Sequence, residues 1–315
     1  MNKKIKLLLL ALLIAHAVFA QSAYPYPSAQ FSFYIENKQS FMSYMDVKPS
    51  AANGKTILLF HGKNFSGYYW KDLIPELIKK GYRVIAPDQP GWGRSGKPDL
   101  HYSFHMLSSL NKNLLDSLKI NKVIVLGHSM GGMLAIRFAL IHPSLTAKLV
   151  LENPIGLEDY RTFVPYKTLE QLYAKEKLAT YESYKKYQQS YYPQWKPDYE
   201  QYVAAQAEAL ADPSFDAIAR VNAVTYAMIY EQPVVYELGN ITVPVLLVIG
   251  QADRTVVGKD LLTEQQKNQY GQYPQLGKKA AAAIKNATLV ELDGIGHIPH
   301  VQDLAKFTAA LFSFI

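Results

Sequence analysis

The sequence predicts an α/β fold: a mostly parallel sheet flanked by helices, with a helical segment inserted into it. Three observations carry this reading. From Asn53-Gly54 onward, short apolar runs alternate with helix-length amphipathic stretches; the alternation stops between about Ile155 and Gly239; and it resumes at Val243. Near-continuous apolar strands separated by helices suit a parallel sheet, because such strands are buried on both faces.

Taken in order, the chain opens with Lys3, Lys4 and Lys6, an uncharged apolar run over 7–14, and Val18-Phe19-Ala20. This is the pattern of a signal peptide over 1–20 cleaved after Ala20, with Ala15-His16-Ala17 as the neighbouring alternative. The apolar run falls short of the roughly 20 residues a membrane-spanning helix needs, so no stable anchor is expected after cleavage. The expected location is therefore the periplasm or the exterior. There is no cysteine, which rules out both a lipid-bearing cysteine and disulfides.

Residues 31–36 and 41–47 are rich in aromatic and β-branched side chains, and 37–40 between them (Asn-Lys-Gln-Ser) predicts the turn of a hairpin. Strands are expected at 56–60, 82–86, 122–126, 148–151, 243–249 and 288–292. Helices are expected near 71–80, 104–118, 130–141, 278–285 and 301–314. The segment 155–239 reads as helix, loop and helix, with Tyr181, Tyr184, Tyr187 and Tyr191 spaced to share one helical face. The implied organisation is a sheet domain formed by 21–154 and 240–315, interrupted by a helical cap at 155–239.

The formal charge of +7 falls to +4 without the three leader lysines, and the remaining lysines are scattered as pairs such as Lys79-Lys80 and Lys185-Lys186. No basic stripe of the kind nucleic acid requires is present. No His, Asp and Glu cluster has metal-ligand spacing, and no phosphate-cradling glycine loop occurs, so no cofactor is expected.

The chemistry-bearing residues sit just past the expected strands. Gly127-His128-Ser129-Met130-Gly131 joins the strand at 122–126 to the helix at 130–141. A sharp strand-to-helix turn there would hold the Ser129 hydroxyl clear of the sheet at a helix N-terminus, whose dipole favours developing negative charge. A serine hydroxyl needs a base, and the base needs an orienting group. Asp253 follows the strand at 243–249 and His297 follows the strand at 288–292. Both positions lie where loops leave the C-terminal edge of a parallel sheet. The chain order Ser, Asp, His is the one nucleophile-elbow enzymes use. Glu152, at the end of another strand, is the competing acid. His300 is expected to help begin the last helix, His128 to pack or bond locally, His61 to shape its loop and Asp88 to pin its own.

With these motifs the mature chain resembles the α/β-hydrolase superfamily in its capped branch. The resemblance implies Ser129 as nucleophile, His297 as general base and then acid, and Asp253 as the residue fixing the imidazole tautomer. Phe60-His61-Gly62-Lys63-Asn64 resembles the family's oxyanion loop, and Asp88-Gln89-Pro90-Gly91-Trp92-Gly93-Arg94-Ser95 resembles its turn after the next strand. The oxyanion hole would then be the backbone N–H groups of Met130 and Lys63, or of Asn64 if the loop is shifted by one residue. Haloalkane dehalogenase and epoxide hydrolase chemistry are disfavoured, since those relatives use a carboxylate where this chain has Ser129.

The resemblance implies two-step acyl transfer on a small apolar or amphipathic substrate, a carboxylic ester first, with amide, lactone, C–C cleavage or perhydrolysis as alternatives on the same triad. The reading from another class is a hydrolase-like binding protein with little turnover. An adhesion module finds no repeat or disulfide framework to support it. The tyrosine-rich cap would wall the pocket, and the long stretch 255–273 would border it.

Overall fold

Alternation of side chains across each strand builds the core. The computed structural model describes residues 24–315, so the expected signal peptide lies outside the described residues. Among them no helix is long and apolar enough to cross a membrane. Eight strands form one sheet: β1 (Ser28–Ile35), β2 (Lys38–Val47), β3 (Thr56–Phe60), β4 (Arg83–Pro87), β5 (Val123–His128), β6 (Thr146–Glu152), β7 (Val245–Gly250) and β8 (Ala287–Leu292). Their spatial order is β1-β2-β4-β3-β5-β6-β7-β8. The β1–β2 and β2–β4 pairs are antiparallel and all the others parallel.

The period of two decides which helices cover which face. Leu58, Phe60, Val125, Leu149, Leu151, Leu247 and Ile249 point to one side. There they meet α2 (Phe104–Ser117), α3 (Met130–Ile141) and α9 (Tyr273–Ala283). Ile57, Leu59, Ile124, Leu126, Val150, Leu246 and Val248 point to the other, against α1 (Leu73–Lys79) and α11 (Leu304–Phe314). Every residue of β5 and β7 is buried, as expected for central parallel strands.

The hairpin differs from its expected form. The turn is Glu36-Asn37 alone, both with left-handed φ of 50° and 58°. Lys38, Gln39 and Ser40 pair with Ile35, Tyr34 and Phe33 instead of forming the connection. Two positive-φ residues match the twist of the flanking strands, so a two-residue turn suffices. The last expected helix is split into α10 (Pro299–Gln302) and α11, because Asp303 leaves the helical region and its carboxylate accepts from the N–H of Lys306. Residues 255–273 are largely structured. They hold a 3-10 turn at Lys259–Leu261 and α8 (Glu264–Gln269), and Tyr270 stacks on Phe163.

Between β6 and β7 lie α4 (Leu169–Glu176), α5 (Tyr181–Gln189), α6 (Glu200–Ala207) and α7 (Phe215–Glu231), with no strand among them. The expected single tyrosine face does not form, because α5 ends at Ser190, before Tyr191. Tyr184 is buried, Tyr187 remains 43% exposed and Tyr191 lies in the following loop. Val221, Met228 and Ile229 join the first core, and Tyr191, Tyr192, Tyr199 and Tyr202 join the second.

Candidate active site

The chain steps from β3 outward to β4 and then back across to β5, so the β3 and β5 loops diverge at the C-terminal edge of the sheet. Such a switch point opens a crevice. The β5 loop is the strand-to-helix turn foreseen above. Ser129 has φ 56° and ψ −120°, an unfavourable conformation for a residue with a Cβ. Neighbouring chain packs tightly here: a Cβ on Gly131 would lie 2.1 Å from the Phe60 carbonyl oxygen. The turn is stitched to the end of β6 by two bonds, Ser129 N–H to the Glu152 carbonyl at 3.2 Å and Ile155 N–H to the Ser129 carbonyl at 3.2 Å.

Three side chains from three loops meet. Ser129 Oγ is 3.0 Å from His297 Nε2, and His297 Nδ1 is 2.7 Å from Asp253 Oδ2. Ser129 retains 8% exposure, whereas Asp253 and His297 are sealed at 2% and 1%. Asp253 is anchored on both oxygens: Oδ2 also accepts from Asn153 Nδ2 at 2.7 Å, and Oδ1 accepts from Thr255 N–H at 2.8 Å. Burial pushes its carboxyl up, but the His297 charge and the bonds from His297, Thr255 and Asn153 outweigh burial and hold it below the ordinary aspartate value. Asn153 in turn accepts the Gly250 N–H at 2.9 Å.

The β3 loop faces this group from the opposite side. Gly62 approaches Ser129 so closely that a Cβ on it would stand 3.3 Å from the Ser129 Cβ. Among the described residues no acceptor meets the backbone N–H of Lys63 or Met130, which leaves both donors open. The Lys63 ammonium reaches out of the loop to Asn222 Oδ1 (3.3 Å) and Glu176 Oε1 (3.6 Å). His61 donates from Nδ1 to the Gly62 carbonyl and accepts the Gln89 N–H on Nε2, so it shapes its own loop. Asp88 does the same for the next one, taking the N–H groups of Gly67 and Arg94 and the Tyr24 hydroxyl.

A buried polar chain ties the two loops beneath the site. Gly62 N–H donates to Tyr69 Oη at 3.0 Å, Tyr69 donates to His128 Nδ1 at 3.1 Å, and His128 Nε2 donates to the His297 carbonyl at 2.8 Å. Burial, then repulsion from His297 and His300, keeps His128 neutral, well below the ordinary histidine value. Glu152 is occupied elsewhere: its carboxylate accepts His300 Nδ1 at 2.9 Å and the His300 N–H at 2.7 Å. Asn153 and Tyr69 escaped the sequence reading, and Tyr191 was placed on a helical face that ends before it. Asn153 carried one usable signal, its place directly after a parallel strand; Tyr69 carried none.

A cavity of about 450 Å³ opens beside the β3 loop. Lys63, Asn64, Trp92, Arg94, Tyr184 and Tyr202 are among its walls, while Ser129, Asp253 and His297 are not. Among the described residues no group of three His, Asp or Glu side chains could hold a metal ion.

Comparison with known proteins agrees with the architecture. The sequence profile of the alpha/beta hydrolase fold matches residues 55–304. A probable hydrolytic enzyme from Pseudomonas aeruginosa PAO1 shares 42% identity and a TM-score of 0.91, over 93% of this chain and 95% of that one. A haloalkane dehalogenase from Psychrobacter cryohalolentis is 33% identical over 131 residues, 39% of this chain and 42% of the relative. A 2-hydroxy-6-oxononadienedioate/2-hydroxy-6-oxononatrienedioate hydrolase from Comamonas testosteroni is 32% identical over 156 residues, 46% of this chain and 54% of the relative. The chain thus spans about half or less of the length of these curated relatives. The profile match extends across most of the sequence, and the chain belongs to the α/β hydrolase fold family.

Proposed function

We propose that this protein is an exported serine hydrolase acting on carboxylic esters of small apolar or amphipathic molecules. One observation carries the reading: the continuous Ser129–His297–Asp253 hydrogen-bond chain, mounted on a positive-φ turn opposite two open N–H groups. Membership of the family and a 42% identical relative described as a probable hydrolytic enzyme support it.

In this mechanism His297 Nε2 takes the Ser129 proton as Oγ attacks the ester carbonyl. Asp253 keeps the Nδ1 proton in place and stabilises the imidazolium that forms. The charge that develops on the carbonyl oxygen is met by the N–H groups of Lys63 and Met130. Donors aimed at a charge present only in the transition state lower the barrier; removal of one side-chain donor of this kind costs roughly 3–4 kcal/mol. His297 then protonates the departing alcohol, and an acyl group remains on Ser129. Water deprotonated by His297 attacks the acyl carbon, the acid leaves and Ser129 recovers its proton. The helices between β6 and β7 act as the cap that selects the substrate.

The test is a fluorophosphonate probe on the mature protein and on Ser129→Ala, read by mass spectrometry, beside turnover of p-nitrophenyl esters. Labelling at Ser129 in the wild type alone is expected. Tight ligand binding with neither labelling nor turnover would replace this reading with a binding protein. Parallel amide, lactone and C–C substrates rank the bond type. Processing after Ala20 is checked by the N-terminal sequence of the protein recovered from the expressing cell's exterior or periplasm.

A further inference from the structure

Tyr191, in the loop after α5, touches both the His297 loop and the β3 loop. Its carbonyl accepts the His297 N–H at 2.7 Å. The approach is so close that a Cβ on the preceding residue, Gly296, would lie 2.1 Å from that carbonyl oxygen. Its ring lies against the His297 imidazole, with centroids 4.8 Å apart and planes 30° from parallel. Its hydroxyl accepts from Asn64 Nδ2 at 3.0 Å, on the β3 loop.

The core and the inserted helices grip different parts of that loop. From beneath, Tyr69 holds Gly62. From above, Tyr191 holds Asn64, while Glu176 and Asn222 hold the Lys63 side chain. The Lys63 N–H sits between these two grips, with no acceptor of its own among the described residues.

We propose that Tyr191 is a positioning residue for the reaction: it fixes the His297 imidazole and the Lys63–Asn64 segment relative to each other. Its hydrogen bonds within the site go to Asn64 and to the His297 backbone, not to Ser129 Oγ or His297 Nε2. Its effect is geometric, since a base and an oxyanion donor that drift apart cannot serve the same transition state. This inference rests on the serine-hydrolase reading above. It also gives the inserted segment a second role besides substrate selection.

The experiment uses the full mature chain and p-nitrophenyl butyrate, with Tyr191→Phe, Asn64→Ala, the double variant and Tyr191→Leu. Tyr191→Phe keeps the ring and the backbone carbonyl and loses the hydroxyl's ties to Asn64 and Tyr187. Tyr191→Phe and Asn64→Ala should each lower kcat roughly tenfold, with KM changed by no more than about twofold. The double variant should be no slower than the worse single, because both changes delete the same bond. Tyr191→Leu, which also removes the ring, should lose roughly a hundredfold. A thermal midpoint for each variant separates slow but folded enzyme from unfolded protein. Fluorophosphonate labelling at Ser129 of the wild type with unchanged kcat in Tyr191→Phe, or additive losses in the double variant, would overturn the proposal alone. Failure of the wild type to label at Ser129 would overturn the hydrolase reading and this proposal together.

Discussion

His297 and His300 stand three residues apart, and each carries a buried carboxylate on Nδ1: Asp253 at 2.7 Å and Glu152 at 2.9 Å. Their other nitrogens differ. His297 Nε2 faces Ser129 Oγ at 3.0 Å, whereas among the described residues the buried His300 Nε2 has no hydrogen-bond partner. The His300 ring is stacked on Trp70 and edged by Tyr69 and Phe307. A His–carboxylate pair is therefore no sign of catalysis by itself. What separates the two is that His297 Nε2 meets the Ser129 hydroxyl, while the His300 ring is packed among aromatic side chains. The Glu152–His300 pair instead docks the start of α10 onto β6, since His300 also donates its backbone N–H to the Glu152 carboxylate.

The largest test of this contrast is Ser129→Ala, which should cut ester turnover on the order of 10⁵–10⁶-fold while the protein stays folded. Circular dichroism alongside p-nitrophenyl ester kinetics checks both halves.

Exchanging the carboxylates should produce opposite profiles. Asp253→Asn should reduce kcat by about 10⁴-fold, as loss of the orienting acid does in serine proteases. Glu152→Gln should keep kcat within about tenfold yet destabilise by about 1–3 kcal/mol, because an amide replaces one of the two buried acceptor oxygens that hold His300. Urea denaturation and steady-state kinetics on both variants decide. Equal activity losses would erase the distinction drawn between the two histidines.

A third histidine environment sharpens the comparison through pH. Burial holds His61 and His128 below the ordinary value of 6.5 in the folded state. As pH falls below about 6.5 the unfolded chain binds protons that the folded one refuses, so stability is present above that pH and drains away beneath it. Each such histidine adds a slope of at most about 1.4 kcal/mol per pH unit. Denaturation curves at pH 7.5 and 5.5 should show the loss, and His128→Asn should make it shallower.

The smallest effect lies in the turn itself. Ser129→Gly should be more stable than Ser129→Ala by about 1 kcal/mol, since glycine tolerates positive φ and alanine does not. Thermal melts of the two inactive variants measure the strain that the turn stores.

Most of the sheet was legible because parallel strands buried on both faces leave continuous apolar runs, as at Val245–Gly250. The placement of Ser129, Asp253 and His297 at one edge was legible for a related reason: each follows a strand closely, and strand ends of one polarity share an edge. What stayed hidden came from partners without local signature. Asn153 binds Asp253 across 100 positions, and Asn64 meets Tyr191 across 127. Periodicity also misplaced Tyr191, because three- and four-residue spacing continues in the sequence after α5 has already ended. The hairpin turn was misjudged since Lys38 to Ser40 look like loop residues and are strand by pairing alone.

The distances along the chain spanned by the site also set a timetable. Ser129 and His297 are 168 positions apart, and His297 and Asp253 are 44 apart. Loops of that length close late, after nearby contacts have formed. A refolding chain should therefore regain the spectral signature of its strands and helices before it regains any reactivity at Ser129. The approach of His297 to Ser129 then follows the formation of the sheet that carries both.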